Sequence, residues 1–214
     1  MAKAKGYSRR YTPPPDVALV SAEQVMNRVV YWRTHVTDWV DDIFGSNVVL
    51  SAQQRHGLDE LGRLIDVKLR LADGEPVSKD EHAAYGGKIG LSVMSGNGTG
   101  KDFFASLVTL FFLHVFPYPK VTATANTAKQ LRNVLWSEIS KLMRLSRKVS
   151  GDSGITILES LFEWQSERVY LKEAKGKEWF AEAVTVSVRD SEDRQAEALA
   201  GRHEDHLLFV VDEA

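Results

Sequence analysis

Residues 94–102 read Met-Ser-Gly-Asn-Gly-Thr-Gly-Lys-Asp, and this stretch decides the fold. The apolar run before it, residues 88–94, predicts a strand, and residues 101–116 after it predict a helix. Three alternating glycines let the backbone curl so that successive N–H groups point inward, toward an anion at the start of the helix. A strand, a glycine-rich turn and a lysine that opens a helix are typical of a P-loop, which binds nucleotide phosphates. The alternative is a glycine-rich turn that merely joins strand to helix.

The loop departs from the usual pattern, G-x-x-x-x-G-K-[ST], at both ends. Ser95 stands at the first glycine position and Asp102 at the final hydroxyl position. Asp102 offers a hard oxygen that suits Mg²⁺, but its charge should weaken metal-free nucleotide binding. Lys101 is predicted to neutralise the β- and γ-phosphates and so to take part in catalysis. The predicted nucleotide-binding residues of the loop are Ser95, Gly96, Asn97, Gly98, Thr99, Gly100, Lys101 and Asp102.

A second phosphate-site element follows far downstream. Leu207–Val211 is an uninterrupted apolar run, typical of a strand buried on both faces, and it leads into Asp212 and Glu213. Such a pair after a strand is a Walker B pattern, weak alone but much stronger with a P-loop upstream. Asp212 is predicted to hold Mg²⁺, usually through a water, and Glu213 to act as the general base that activates the attacking water.

Composition sets limits on function. The chain has 214 residues, with 27 Lys and Arg against 29 Asp and Glu, so nothing in its net charge of −2 demands nucleic acid. It has no cysteine, which excludes disulfides and thiolate metal sites and fits a reducing compartment. No apolar run approaches the roughly 20 residues of a membrane helix, so we expect no membrane partner and a cytoplasmic protein.

Three segments are predicted. Residues 1–20 form a flexible basic arm, either an untethered terminus or a contact for a polyanion. Residues 21–85 form a helical lead-in, with one helix capped by Ser21 and running to about residue 43 and a second capped by Ser51. Residues 86–214 form the nucleotide-binding core.

Strands and helices alternate in the core, which predicts an α/β fold: a P-loop NTPase with a mostly parallel, doubly wound sheet. Besides the elements already given, the pattern predicts a helix at residues 127–145. The remaining predicted strands lie at residues 121–125, 156–158, 164–171 and 183–188.

Two further blocks identify a family resemblance. Residues 122–131 read Thr-Ala-Thr-Ala-Asn-Thr-Ala-Lys-Gln-Leu, with Trp136 and Glu138 in the next helix, and residues 197–203 read Glu-Ala-Leu-Ala-Gly-Arg-His. With the two phosphate-site elements, residues 49–214 resemble the N-terminal ATPase half of a large terminase subunit. That family packages double-stranded DNA into the capsids of tailed bacteriophages and herpesviruses.

The resemblance implies function and partners. It implies hydrolysis of Mg²⁺-ATP to drive double-stranded DNA into a procapsid, in the host cell cytoplasm. The implied partners are viral DNA, the small terminase subunit, the portal protein of the procapsid and further copies of the chain in a ring. The alternatives are another P-loop ATPase of helicase-like type, and a non-hydrolysing remnant that binds nucleotide or a partner and no more.

The family also implies residue roles. A glutamine before a helix upstream of the P-loop reads adenine, and Gln54 matches that place, with Gln53 as the alternative; an amide suits adenine because it donates and accepts in one plane. A surface or helix-capping glutamine is the equally weighted alternative. No arginine lies within residues 95–102, so Arg202 or a neighbouring subunit would stabilise the transition state, although a solvated arginine is the plainer interpretation. His203 and His206 lack a third ligand at suitable spacing and are interpreted as loop histidines.

The chain stops directly after the Walker B pair, at Ala214. The family continues with a coupling strand, the rest of the ATPase sheet and a nuclease domain. In such ATPases the strand after Walker B lies between the P-loop strand and the Walker B strand. We therefore expect an incomplete sheet, with a gap between those two strands.

Overall fold

A computed structural model describes residues 22–94, 100–124, 131–149, 154–165, 168–174, 176–184 and 205–211. Within them, helices pack around a five-stranded sheet. The predicted arm at residues 1–20 lies outside the described residues. No helix in the described ranges is long and apolar enough to cross a membrane.

Three helices form the lead-in: α1 (Ala22–Trp32), α2 (Val36–Phe44) and α3 (Ala52–Ala72). The predicted single helix to residue 43 is wrong, because the chain turns between α1 and α2. A Cβ placed on Gly62 of α3 would lie 2.4 Å from the carbonyl oxygen of Thr34 in that turn. This close approach of two backbones requires glycine at position 62.

The predicted cap of the second lead-in helix is confirmed, since Ser51 is the N-cap of α3. After α3 come α4 (Lys79–Glu81), a π-helical turn (His82–Gly86) and, following a gap in the described residues, α5 (Lys101–Val115). The start and end of α5 agree with its prediction to within a residue. Beyond the first strand lie a π-helical turn (Leu131–Trp136), α6 (Ser137–Leu145) and α7 (Ile157–Leu161). Residues 127–130 of the predicted helix at 127–145 lie outside the described residues.

The sheet contains β1 (Lys120–Thr124), β2 (Phe162–Gln165), β3 (Arg168–Leu171), β4 (Phe180–Ala183) and β5 (Leu207–Val211). Its order is β2-β3-β4-β1-β5. Strands β4, β1 and β5 are parallel, whereas β2, β3 and β4 are joined by antiparallel pairs. The α/β class behind a helical segment is confirmed, and the sheet is mixed and only partly parallel.

One strand prediction is wrong, and another is right in its bounds but wrong in its burial. Residues 88–94 are irregular and lie outside the described sheet, with the side chain of Met94 93% exposed. Apolar alternation alone does not make a strand, because its backbone groups need a paired partner. Strand β5 has the predicted bounds but is not buried on both faces, since Phe209 is 40% and Val211 59% exposed. Among the described residues it pairs with β1 alone, so it forms an edge.

The remaining strand predictions have mixed outcomes. Residues 156–158 do not form a strand: Thr156 is the N-cap of α7, and its hydroxyl donates to the carbonyl oxygen of Met143 at 2.7 Å. The β-like run at 164–171 is a hairpin of two strands, β2 and β3. The run predicted at 183–188 overlaps β4 by one residue, and residues 185–188 lie outside the described residues.

Helix α5 lies at the centre of the core. It packs on the sheet strands β1, β4 and β5 and against α1, α6 and the π-helical turn before α6. A helix that is apolar on every side is expected to be buried among other elements. The large side chains that are fully buried around it are Trp39, Phe44, Leu58, Leu107, Leu110, Phe111, Leu113, Leu135, Trp136, Ile139 and Phe162.

Candidate functional site

The site is built from the first turn of α5. Gly100 is its N-cap and adopts the left-handed conformation, at φ 84° and ψ 31°, which glycine tolerates best. Lys101 and Asp102 follow in the first turn, and both are half-buried. No side chain of a described residue caps this end of the helix. Its first N–H groups have no acceptor within the helix, and the helix dipole favours an anion there.

The opposite end of α5 is closed. The indole N–H of Trp179 donates to the carbonyl oxygen of Leu113 at 2.7 Å, and the guanidinium of Arg33 donates to that of Val115 at 3.0 Å. Side-chain donors therefore satisfy carbonyls that the last turn of a helix leaves without partners. Of the two ends, the amino-terminal one is the end suited to a ligand.

The direction of α5 fixes where its first turn lies relative to the sheet. Just beyond its last turn, the ring of Phe116 lies 5.0 Å from that of His206, which directly precedes β5. The N–H of Lys120, at the start of β1, donates to the carbonyl oxygen of His206 at 3.0 Å. The last turn of α5 thus lies at the amino ends of β1 and β5, so its first turn points toward their carboxyl ends. Ligands of open α/β sheets bind at that edge.

The amino end of α3 lies beside the amino end of α5. The Nε2 atom of Gln54 is 3.0 Å from the position of a Cβ placed on Gly100. A Cβ on Gly57, one turn further along α3, would lie 3.0 Å from the ring of Phe104 in α5. Gln54 is half-buried, whereas Gln53 is exposed. Of the two glutamines considered, Gln54 is therefore the one that faces the loop.

Gln54 also caps its own helix. Its Oε1 accepts a hydrogen bond from the N–H of Ser51 at 2.9 Å, and the hydroxyl of Ser51 accepts one from the N–H of Gln54 at 3.2 Å. This reciprocal pair is a capping box. Gln54 is therefore a helix-capping residue, as one of the two interpretations predicted. Capping leaves the amide able to contact a ligand, because its Nε2 side faces Gly100.

An ion pair that the sequence did not indicate holds α3 to α2. The guanidinium of Arg55 donates to both carboxylate oxygens of Asp41, at 3.0 and 3.2 Å. These hydrogen bonds raise the pKa of Arg55. Arg147 donates to the backbone oxygen of Asp41 at 3.2 Å. The ion pair of Arg55 with Asp41 fixes the residue next to Gln54. Because its two members lie in separate helices, local sequence patterns do not predict it.

Several predicted site residues lie outside the described residues. These are Ser95, Gly96, Asn97, Gly98, Thr99, Arg202, His203, Asp212 and Glu213. The residues that the structure brings together are Gln54, Gly100, Lys101 and Asp102. Asp212 and Glu213 come directly after β5 in the sequence, and the carboxyl end of β5 is at the edge toward which the first turn of α5 points.

His206 is positioned for packing. It lies against Phe116, and burial, followed by the nearby charge of Arg33, lowers its pKa. Among the described residues no group of three His, Cys, Asp or Glu side chains is arranged to hold a metal ion. The predicted magnesium ligands are Asp102, which is described, and Asp212, which is not.

Comparison with known proteins finds a relative among phage packaging proteins. The chain is 32% identical over 124 residues to the probable terminase, large subunit, of Enterobacteria phage P7. The matched part is 58% of this chain and 23% of that relative, so the chain spans about a quarter of the relative's length. The resemblance to large terminase subunits inferred from the sequence blocks is confirmed. No family model and no solved structure matches the chain.

Proposed function

We propose that this chain binds and hydrolyses Mg²⁺-ATP as the ATPase portion of a motor that packages double-stranded viral DNA. The observation that carries the proposal is the pairing of two helix starts: Gly100 and Lys101 open α5, and the amide of Gln54 in α3 lies against Gly100. The similarity to the phage P7 protein supports the same assignment.

The phosphates would bind at the first turn of α5. Residues 95–100 would supply backbone N–H groups, and the helix dipole would add to their attraction for an anion. Lys101 supplies a compact positive charge for the β- and γ-phosphates. Gly100 permits close approach because a side chain there would meet Gln54.

The base would bind next to Gln54. An amide donates and accepts in one plane, which matches the adenine edge, with its ring nitrogen acceptor and amino donor. The contact between Gly57 and Phe104 keeps α3 close to α5. The base would then bind at the first turn of α3 and the phosphates at the neighbouring first turn of α5.

Hydrolysis needs charge neutralisation and an activated water. Asp212, with Asp102 beside Lys101, would hold Mg²⁺, which neutralises charge on the phosphate oxygens when bound. Glu213 would accept a proton from the water that attacks the γ-phosphorus, while the bond from that phosphorus to the bridging oxygen breaks and ADP leaves. Arg202, or an arginine of a neighbouring subunit, would stabilise the charge that develops.

The motor role brings partners that the resemblance implies. They are double-stranded DNA, the small terminase subunit, the portal protein and other copies of the chain in a ring. Packaging would take place in the host cell cytoplasm. The net charge of −2 favours DNA contacts through local basic surfaces over attraction by the whole chain.

Turnover of the chain tests the proposal. We expect Mg²⁺-dependent release of phosphate from ATP, lost on chelation of the metal and abolished in Glu213→Ala while equilibrium ATP binding survives. Binding without turnover in the unmodified chain would support a non-hydrolysing role, and absence of both would contradict the proposal. Stimulation by DNA that requires the portal protein would separate packaging from a helicase-like role.

A further inference from the structure

Among the described residues, three helices begin with the same capping box. In each, the N-cap hydroxyl accepts from the N–H three residues on, and that residue's side-chain oxygen accepts from the N–H of the N-cap. The pairs are Ser51 with Gln54, Ser78 with Glu81, and Thr156 with Glu159. Two of the three use glutamate, and the box at the start of α3 uses glutamine.

Glutamate is the better residue for capping alone. A carboxylate near the positive end of a helix is stabilised by the dipole, and an amide gains less. The box with glutamine is also the one that touches the candidate site, since Nε2 of Gln54 is 3.0 Å from a Cβ placed on Gly100. A carboxylate there would bring negative charge against a loop that binds phosphates. The use of glutamine in place of glutamate at position 54 is explained if the amide binds a ligand as well as capping the helix.

The cap also fixes which way the amide faces. The N–H of Ser51 is a donor, so the atom it meets at 2.9 Å must be the carbonyl oxygen of Gln54. The amide nitrogen, with two N–H donors, is then turned toward Gly100. The oxygen keeps a second lone pair, which can accept from one further donor.

We propose that Ser51 is a positioning residue, whose backbone N–H sets the orientation of Gln54 and so selects adenine over guanine. In this orientation the nitrogen donates to a ring nitrogen of the base and the oxygen accepts from an adjacent amino group. Adenine offers that order of acceptor and donor, whereas guanine places a carbonyl oxygen where adenine has its amino group. On the Watson–Crick edge guanine carries an N–H donor where adenine has its ring nitrogen acceptor, so an amide free to flip would bind either base there. The inference rests on the proposed nucleotide site.

Proline at position 51 tests the orientation directly. Ser51 has φ −66° and ψ 161°, which proline can adopt, so Ser51→Pro removes the N–H without straining φ. Ser51→Ala removes the hydroxyl but keeps the N–H. Ser78, at φ −64° and ψ 156°, allows the matched control Ser78→Pro at the box of α4.

The measurement is equilibrium binding of ribose-labelled fluorescent ATP and GTP, with thermal unfolding recorded for each variant. We expect Ser51→Pro to reduce the preference for ATP over GTP roughly five- to tenfold more than Ser51→Ala, the effect of one hydrogen bond. Ser78→Pro should lower the unfolding temperature without changing that preference. Equal preference in Ser51→Pro and Ser51→Ala, with binding still dependent on Lys101, would overturn the inference and leave the proposed function intact.

A second variant separates capping from ligand binding. Gln54→Glu keeps the capping box in the form used at Ser78, so the unfolding temperature should not fall. ATP affinity should fall at least about tenfold, through loss of the donors and added negative charge. Gln53→Glu adds the same charge one residue away on an exposed side chain and should have a smaller effect. Unchanged ATP affinity in Gln54→Glu would overturn the inference, and an unmodified chain that binds no nucleotide would overturn the proposed function as well.

Discussion

Helix α5 begins on Gly100 with no described side chain capping it, whereas its last turn is closed by donors from Trp179 and Arg33 to the carbonyl oxygens of Leu113 and Val115. One end therefore offers N–H groups to a ligand, and the other has its polar groups satisfied by the protein. Together with the proposed function, the comparison predicts that a single helix binds ligand at one end and contributes stability at the other. Substitutions at the closed end should lower the free energy of unfolding, and those at the open end should lower nucleotide affinity.

The largest effect on the free energy of unfolding is expected for substitutions of Trp39, which contacts the closed end of α5. Its side chain is fully buried, its indole N–H donates to Nδ1 of His114 at 2.9 Å, and its ring packs edge-on against Phe44 and Phe111. Trp39→Ala should lower the free energy of unfolding by about 3–5 kcal/mol, measured by urea denaturation. Trp39→Phe keeps most of the volume and leaves Nδ1 of His114 without this donor, so a loss of about 1–3 kcal/mol is expected. Equal losses in both variants would show that the cavity left by the missing ring is not the main cause of the loss in Trp39→Ala.

The next effect is a pH dependence from His114, also at the closed end. Burial lowers its pKa from 6.5 to about 4, and Nδ1 must be unprotonated to accept from Trp39. Because the unfolded chain binds this proton more readily, the stability is fully present above pH 6.5 and is lost as pH falls toward 4. The shift corresponds to about 3 kcal/mol at most.

Urea denaturation between these pH values measures the His114 contribution. In His114→Gln the glutamine oxygen can still accept from Trp39 but does not titrate, so the free energy of unfolding should depend less steeply on pH. The same slope in His114→Gln as in the unmodified chain would show that other groups cause the dependence.

The smallest effect is expected at the open end, for Gly57→Ala. The added Cβ would lie 3.0 Å from the ring of Phe104, so we expect α3 to move a few tenths of an ångström away from α5. Alanine gains up to about 1 kcal/mol of helix propensity, which offsets the contact, so the unfolding temperature should change little. ATP affinity should fall severalfold because Gln54 moves away from Gly100. If Gly57→Ala instead lowered the unfolding temperature and kept its ATP affinity, the contact between α3 and α5 would contribute to stability and not to nucleotide binding.

Local signals in the sequence were sufficient for some elements. The serine at position 51 predicted the cap of α3, the lysine after the glycines predicted the start of α5, and the apolar run at Leu207–Val211 gave the bounds of β5. Each of these features depends on residues within one turn or one strand. Thr156 and Glu159 also form a local capping signal, but the apolar residues between them were interpreted as a strand, which was wrong.

Other features depend on contacts between distant residues. The turn after α1 places Thr34 against Gly62 of α3, and residues 88–94 lack a described strand to pair with. The ion pair of Arg55 with Asp41 joins two helices and leaves no periodic trace in the sequence. For the site, family resemblance supplied Gln54, and the structure added its cap and its position beside Gly100. The roles of Asp212, Glu213 and residues 95–99 stay predictions.

The most direct test of the central claim, that the open end of α5 binds nucleotide phosphates, is the ATP affinity of Lys101→Ala. A charged hydrogen-bond donor to phosphate contributes enough that affinity should fall roughly tenfold to a hundredfold, with little change in the unfolding temperature without nucleotide. Lys101→Arg, which keeps the charge, should bind more tightly than Lys101→Ala. Undiminished ATP affinity in Lys101→Ala would contradict the phosphate assignment and with it the proposed division of α5 into a binding end and a stabilising end.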